Sequence, residues 1–256
     1  MVNRTKLLLS IVIGFAVITI TTWIAFEIYY GEDRLITAVR KDDLHRVERI
    51  LAHGSFENKF ILNKALWQAC TGDNSEIVQR LLDAGADVNF GGWSYKQTSE
   101  SAETEVGIGL YPLEVAASYR RINVVRLLIQ RGAFVLKPNW EGKRTTPLHC
   151  ALSGPIWDQY QYFSPDPNIS PVLAAKYSQA DAGAVALVII ENGGANALTD
   201  LFDKTPMEYA VANKGMRNVL KALMDRGFRP GVRDMEEARQ CGNSEALELF
   251  MKHSSD

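Results

Sequence analysis

The stretch SEIVQRLLDAGADVN, Ser75 to Asn89, decides how this chain folds. Ile77, Val78, Leu81 and Leu82 recur at three- and four-residue spacing, which lines them along one face of a helix. Gly85 ends the stripe, because a glycine after the last helical turn adopts the left-handed cap that a Cβ penalises. The same reading applies to INVVRLLIQRGAFV (Ile122 to Val135) and to AVALVIIENGGANA (Ala184 to Ala197).

Upstream of these stripes stand YPLEVAA (Tyr111 to Ala117), TPLHCAL (Thr146 to Leu152) and TPMEYAV (Thr205 to Val211). Each reads as a turn leading into a short helix. Proline at the first helical position has a preset φ and lacks only an N–H that would have no partner there, while the preceding threonine caps the helix. Small residues at Ala69, Cys70, Ala116, Ala117 and Ala151 let adjacent helices approach closely.

The TPLH-type turn, the small pair after it, the I-V-x-L-L helix and the G-A-D-V-N exit together resemble the ankyrin repeat. The resemblance implies an all-α fold, an ankyrin-repeat solenoid of about six helix-turn-helix units over residues 33–256, behind one N-terminal transmembrane helix. On that scheme the units end at Gly54, Gly85, Gly132, Gly193, Gly227 and Ser254, and the leading turns include Asp33, Lys64, Tyr111 and Arg233. In the family the histidine of this turn bridges neighbouring turns, so His149 is expected to be structural. Terminal units must show water a polar face. The first places Arg46 where later ones carry Ile77 or Val124, and the last, RDMEEARQCGNSEALELFMKHSSD, is acidic.

Two insertions break the period of about 33 residues expected of such an array. The loop between the second and third units is 14 residues too long, with the surplus within 91–109; the fourth unit carries 26 extra residues within 154–181. The second holds Trp157, Tyr160, Tyr162 and Phe163 among Pro155, Pro165, Pro167 and Pro171, which restrict its conformations and lower the entropy lost on binding. Those aromatics are candidate partner anchors, or else a flap packed down on the stack. The first carries Trp93 and Tyr95, candidates for a second contact, followed by a Ser/Glu/Thr stretch with little to bury and expected to be mobile in isolation. Each insertion nets -2, which suits a protein partner with a basic patch.

At the other end of the chain, Leu7 to Phe26 carries no charge, and about 20 such residues make a helix as long as a bilayer's hydrocarbon core is thick. Arg4 and Lys6 lead it, and Trp23, Phe26, Tyr29 and Tyr30 follow as an aromatic belt. Residues 7–28 therefore read as an uncleaved signal anchor, since WIAFEIYY offers no small-residue cleavage site. Arg34, Arg40 and Lys41 beyond the span nearly balance the leading charges, and the short tail 1–6 tips the expectation toward a cytoplasmic N-terminus. The localisation expected is single-pass inner (plasma) membrane with the repeat domain periplasmic or extracellular.

The 256 residues have a net charge of -2, which does not suit a nucleic-acid binder. Cys70, Cys150 and Cys241 are widely spaced, with no disulfide framework and no zinc spacing. Of His45, His53, His149 and His253, the first two lie eight apart and assemble no three-ligand set at helical spacing, and there is no G-x-S-x-G, no phosphate-cradling glycine loop and no H-E-x-x-H. No catalytic residue, cofactor or metal is expected.

A compact ankyrin array behind a signal anchor, with long aromatic inserts, is similar to bacterial periplasmic ankyrin proteins, among them immunity proteins that neutralise antibacterial effectors such as secreted phospholipases. That likeness implies a membrane-anchored protein-binding module whose inserts occlude the effector. The alternative is an envelope scaffold supporting an enzyme, for example in oxidative-stress defence; an enzyme is the least favoured reading.

Overall fold

The computed structural model describes residues 34–54, 59–91, 95–99, 102–106, 110–136, 145–153, 179–200 and 202–253. The span 7–28 lies outside them. Among the described residues no helix is long and apolar enough to cross a membrane.

Six helix pairs follow one another: α1 (34–40) with α2 (Leu44–His53), α3 (Lys59–Ala69) with α4 (Ser75–Asp83), and α5 (Pro112–Ser118) with α6 (Ile122–Gln130). Then come α7 (Pro147–Ser153) with α8 (Gln179–Ile189), α9 (Pro206–Ala212) with α10 (Arg217–Asp225), and α11 (Val232–Gln240) with α12 (Ser244–His253). The pairs are units 1 to 6. From unit 2 on, the first helix of each unit packs on the first helix of the next, α3 on α5, α5 on α7, α7 on α9 and α9 on α11, forming an inner row. The second helices form an outer row in the same order. One apolar core runs between the rows, from Leu35 to Phe250, and the small residues expected at close approaches, Ala69, Cys70, Ala116, Ala117 and Ala151, all lie in it.

Four of the five stop glycines have a left-handed backbone, with φ of 98° at Gly85, 86° at Gly132, 88° at Gly193 and 90° at Gly227, whereas Gly54 after the first unit is extended at φ -86°. The residue after a left-handed stop reaches five positions back, as from the Ala86 N–H to the Leu81 carbonyl at 3.1 Å and from Ala133 to Leu128 at 2.9 Å, which satisfies carbonyls a helix end leaves open. Gly194 is glycine for a different reason. A Cβ there would lie 2.7 Å from a Val135 methyl in the preceding unit and 2.9 Å from the Ile189 carbonyl oxygen.

Three expectations change. The leading turn of unit 6 lies at Gly231, the N-cap of α11, so Arg233 stands inside the helix. Lys64 does not lie at a turn, because α3 begins at Lys59 and runs through it. KFILNKALWQA has no proline at that point, and the Asn63 side chain accepts the Asp87 N–H at 2.7 Å instead of capping a helix start, so the helix continues for 11 residues where α5, α7 and α9 have 7. The described residues of the first insertion also add a β element to the helical stack. Tyr95–Ser99 (β1) pairs antiparallel with Ala102–Val106 (β2), Tyr95 opposite Val106 and Ser99 opposite Ala102. The Thr/Ser/Glu run that has little to bury satisfies its backbone groups by pairing with itself.

Candidate protein-docking edge

The polar side chains that hold the stack also shape its two edges. Along one edge, short turns join each inner helix to its outer partner. Asp43, Asn74 and Asn243 cap α2, α4 and α12 by accepting backbone N–H groups, at 2.9 Å from Arg46, 3.1 Å from Glu76 and 3.1 Å from Ala246. The same turns tie each unit to the one before. Arg121 Nε donates to the Thr71 carbonyl at 2.8 Å, Asn213 Nδ2 to Leu152 at 3.1 Å and Asn243 Nδ2 to Val211 at 2.7 Å. Each bond closes a carbonyl at or just past the end of the preceding inner helix.

The opposite edge is made by the loops that run from an outer helix to the next unit's inner helix. Asn89 joins two of them, donating from Nδ2 to the Gly132 carbonyl at 3.0 Å and accepting the Phe134 N–H at 2.8 Å. The loop before α9 is organised around Asp200, which is fully buried. Its Oδ1 accepts the N–H groups of Phe202 and Lys204 at 2.9 and 3.0 Å, and its Oδ2 accepts the Tyr209 hydroxyl at 2.7 Å.

His149 joins this loop to unit 4. The Thr146 N–H can only donate, so the Nδ1 it approaches at 3.1 Å is the acceptor. Carbonyls can only accept, so Nε2 carries the proton that Leu198 and Lys204 share at 3.1 Å each. The imidazole is thus neutral; burial holds its pKa below the ordinary value, against the pull of the Asp200 carboxylate and the two carbonyl bonds. A histidine with both nitrogens occupied inside the core is a brace, as the resemblance implied. His45 and His53 are exposed.

Among the described residues, the loop edge is the candidate place for docking another molecule. Of the large hydrophobic side chains exposed among the described residues, four lie on that edge: Phe134 at 42%, Leu136 at 39%, Phe202 at 44% and Val232 at 75%. Met251 lies elsewhere, near the end of the last outer helix. Phe202 is presented from the loop that Asp200 fixes. Asp203 beside it adopts φ 64° and is paired with Arg233 at 3.6 Å. The hairpin β1–β2 springs from this same edge, between α4 and α5.

Of the candidate anchors, Tyr95 is the first residue of β1, at the hairpin base opposite Val106. Trp93, Trp157, Tyr160, Tyr162 and Phe163 lie outside the described residues. The chain leaves α7 at Ser153 and rejoins α8 at Gln179, so the second insertion is attached at the turn edge, across the stack from the hairpin. The two insertions do not spring from one edge. Sequence reasoning missed the exposed loop side chains, although the repeat alignment signals two of them. Phe134 and Leu136 stand where GADVN has Asp87 and Asn89.

Among the described residues no three His, Cys, Asp or Glu converge on a point that could hold a metal ion. Cys70 and Cys150 are buried, and burial pushes the Cys70 thiol far above its ordinary value, which disfavours the reactive thiolate.

The class these features define is a helical-repeat solenoid. Residues 35–139 match the family model of ankyrin repeats in three copies, which covers units 1 to 3. Units 4 to 6 fall outside the matched stretch yet stack in the same two rows, with left-handed stops at Gly193 and Gly227. No curated protein matches the chain. Ankyrin repeats are typically protein-interaction modules rather than enzymes, and their presence points to a protein partner.

Proposed function

We propose that this protein is a membrane-anchored binding module that holds a protein partner at the loop edge of its repeat stack, and that the partner is an antibacterial effector, such as a secreted phospholipase, which it neutralises. The observation that carries the binding reading is the concentration of exposed apolar side chains on the edge that bears the hairpin. Exposed apolar side chains grouped on one edge, beside polar residues, are what a docking surface requires. Supporting the placement is the uncharged run Leu7 to Phe26, with the repeat domain on the exported side. Trp93, Tyr95, Trp157, Tyr160, Tyr162 and Phe163 are the proposed anchors from the insertions, and the -2 of each insertion favours a partner with a basic patch.

The test is affinity capture with the detergent-solubilised full chain, followed by binding measurements on the captured protein with Trp157→Ala and Tyr160→Ala. The reading expects at least one of them to weaken binding by more than about 1 kcal/mol. Losses below about 0.5 kcal/mol for both remove these side chains from the interface. A reporter fused after Asp256 that is active only in the cytoplasm overturns the exported placement. Protection of cells against the captured effector separates neutralisation from the scaffold alternative, in which the chain raises a partner enzyme's activity with no toxin present.

A further inference from the structure

Each end unit of the stack lacks a neighbour on one side and must present a polar face there. The two ends do so with opposite charge. The α1–α2 pair, 34–53, holds five Arg and Lys against three Asp and Glu and nets +2, whereas the α11–α12 pair, 232–253, holds three against five and nets -2. Capping a solenoid asks for polarity of either sign, so the cationic first end needs a reason of its own.

The side chains of α2, LHRVERILAH, are sorted by flank. Val47 is fully buried in the core. Glu48 pairs with Arg80 of α4 at 2.9 Å, so its flank faces unit 2. At about 100° per residue, Arg46 lies about 200° from Glu48, on the flank that has no unit before it. His45, Arg49, Ala52 and His53 are exposed between the two flanks, and none of them is an acid. Asp43, at the start of the helix, is engaged as its cap by the Arg46 N–H at 2.9 Å. Among the described residues neither Arg46 nor Arg49 forms an ion pair. Arg34, Arg40 and Lys41 are exposed on the same unit.

Four of the five cations are arginines, whose planar guanidinium suits bidentate contact with phosphate oxygens. Their place along the chain selects the source of that phosphate, on the reading of residues 7–28 as a membrane anchor. The five residues 29–33 that join this span to α1 reach at most about 20 Å when fully extended. Unit 1 is thereby tethered beside the headgroups, close enough for an attraction that salt screens over about 8 Å. An anionic surface attracts this unit and repels the acidic unit at the other end of the stack.

We propose that the open flank of unit 1, through Arg46 and Arg49 together with Arg34, Arg40 and Lys41, binds the anionic lipid headgroups of the membrane in which the chain is anchored. This contact turns the acidic unit 6 away from the bilayer and leaves the loop edge free for a protein partner.

The test uses the full chain in nanodiscs of phosphatidylcholine alone or in equal parts with phosphatidylglycerol, each carrying a headgroup-linked quencher. A fluorophore is attached at Ala52→Cys on the exposed face of α2, or at Met251→Cys near the end of α12. Both are made in a Cys241→Ser background, whose remaining native thiols, Cys70 and Cys150, are buried. Quenching at position 52 should be several-fold stronger in the anionic discs and should decline with added salt, while position 251 stays unquenched in both. Arg46→Glu/Arg49→Glu should return position 52 to its level in the neutral discs. Arg46→Gln/Arg49→Gln, which removes the charge without reversing it, should move it about half of the way. Equal quenching at position 52 in the two discs, or no change in either variant, overturns the lipid contact and leaves the anchor reading standing. A chain that does not stay with the neutral discs overturns both.

Discussion

Units 1 to 3 and units 4 to 6 share one fold but are tied together by different chemistry. In the first half, charged side chains bridge the units in or near solvent. Arg80 meets Glu48 at 2.9 Å and Arg131 meets Asp83 at 2.8 Å, all four at least a third exposed. In the second half exposed pairs such as Arg233 with Asp203 are joined by buried hydrogen-bonded ties, from His149 to the loop before α9 and from Asn243 to Val211, and that loop is itself held by the buried Asp200. Exposed pairs are screened by water and salt, whereas a buried group stripped of its partner loses solvent as well. The two halves should therefore answer differently to the same kind of substitution, and the second should respond to pH.

The largest effect is expected at Asp200. Asp200→Ala leaves the N–H groups of Phe202 and Lys204 and the Tyr209 hydroxyl without their acceptor and should cost about 3 kcal/mol in denaturant unfolding. A cost under about 1 kcal/mol would mean that the loop is not organised by this carboxylate. Next comes Gly194→Ala, where the added methyl meets Ile189 and Val135 and should cost about 2 kcal/mol, against little at an open surface position. Asn243→Ala removes both a helix cap and the bond to Val211 and should cost about 1.5 kcal/mol. At the other extreme, Arg80→Ala breaks a solvent-facing pair and should cost no more than about 0.5 kcal/mol, less still in high salt. If Arg80→Ala matched Asp200→Ala, the contrast between the halves would be gone.

Titration sharpens the same contrast. His149 has a folded pKa below its unfolded value, so its contribution is complete above the ordinary 6.5 and is lost as pH falls below it. The junction of units 4 and 5 should weaken on acidification, and His149→Asn should remove that dependence in thermal melts from about pH 7 to 5. Asp234 carries the opposite sign one junction further on.

Much of the stack was legible because its stops and starts are local. A left-handed glycine, a Thr-Pro start and a three-to-four apolar stripe each need only neighbouring residues. The Lys64 turn failed where that local punctuation is missing and helix-forming residues run on from Lys59. The role of Asp200 was not legible, since its partners are set by how a loop folds back on α9. Nor was the β1–β2 pairing, which rests on backbone bonds rather than on an apolar pattern. The placement of the two insertions on opposite edges is topological: one interrupts a connection between units, the other the turn inside a unit. Phe134 and Leu136 were readable in principle, as apolar residues standing in polar places of the repeat.

The central claim is that the loop edge binds a protein. Its most direct test is calorimetric titration of the captured partner against the full chain and against the double variant Phe134→Ser/Phe202→Ser, whose side chains are exposed and whose loss should leave the melting temperature unchanged. The account predicts at least a tenfold weaker Kd for the variant, about 1.4 kcal/mol. An unchanged Kd with an unchanged fold would contradict it.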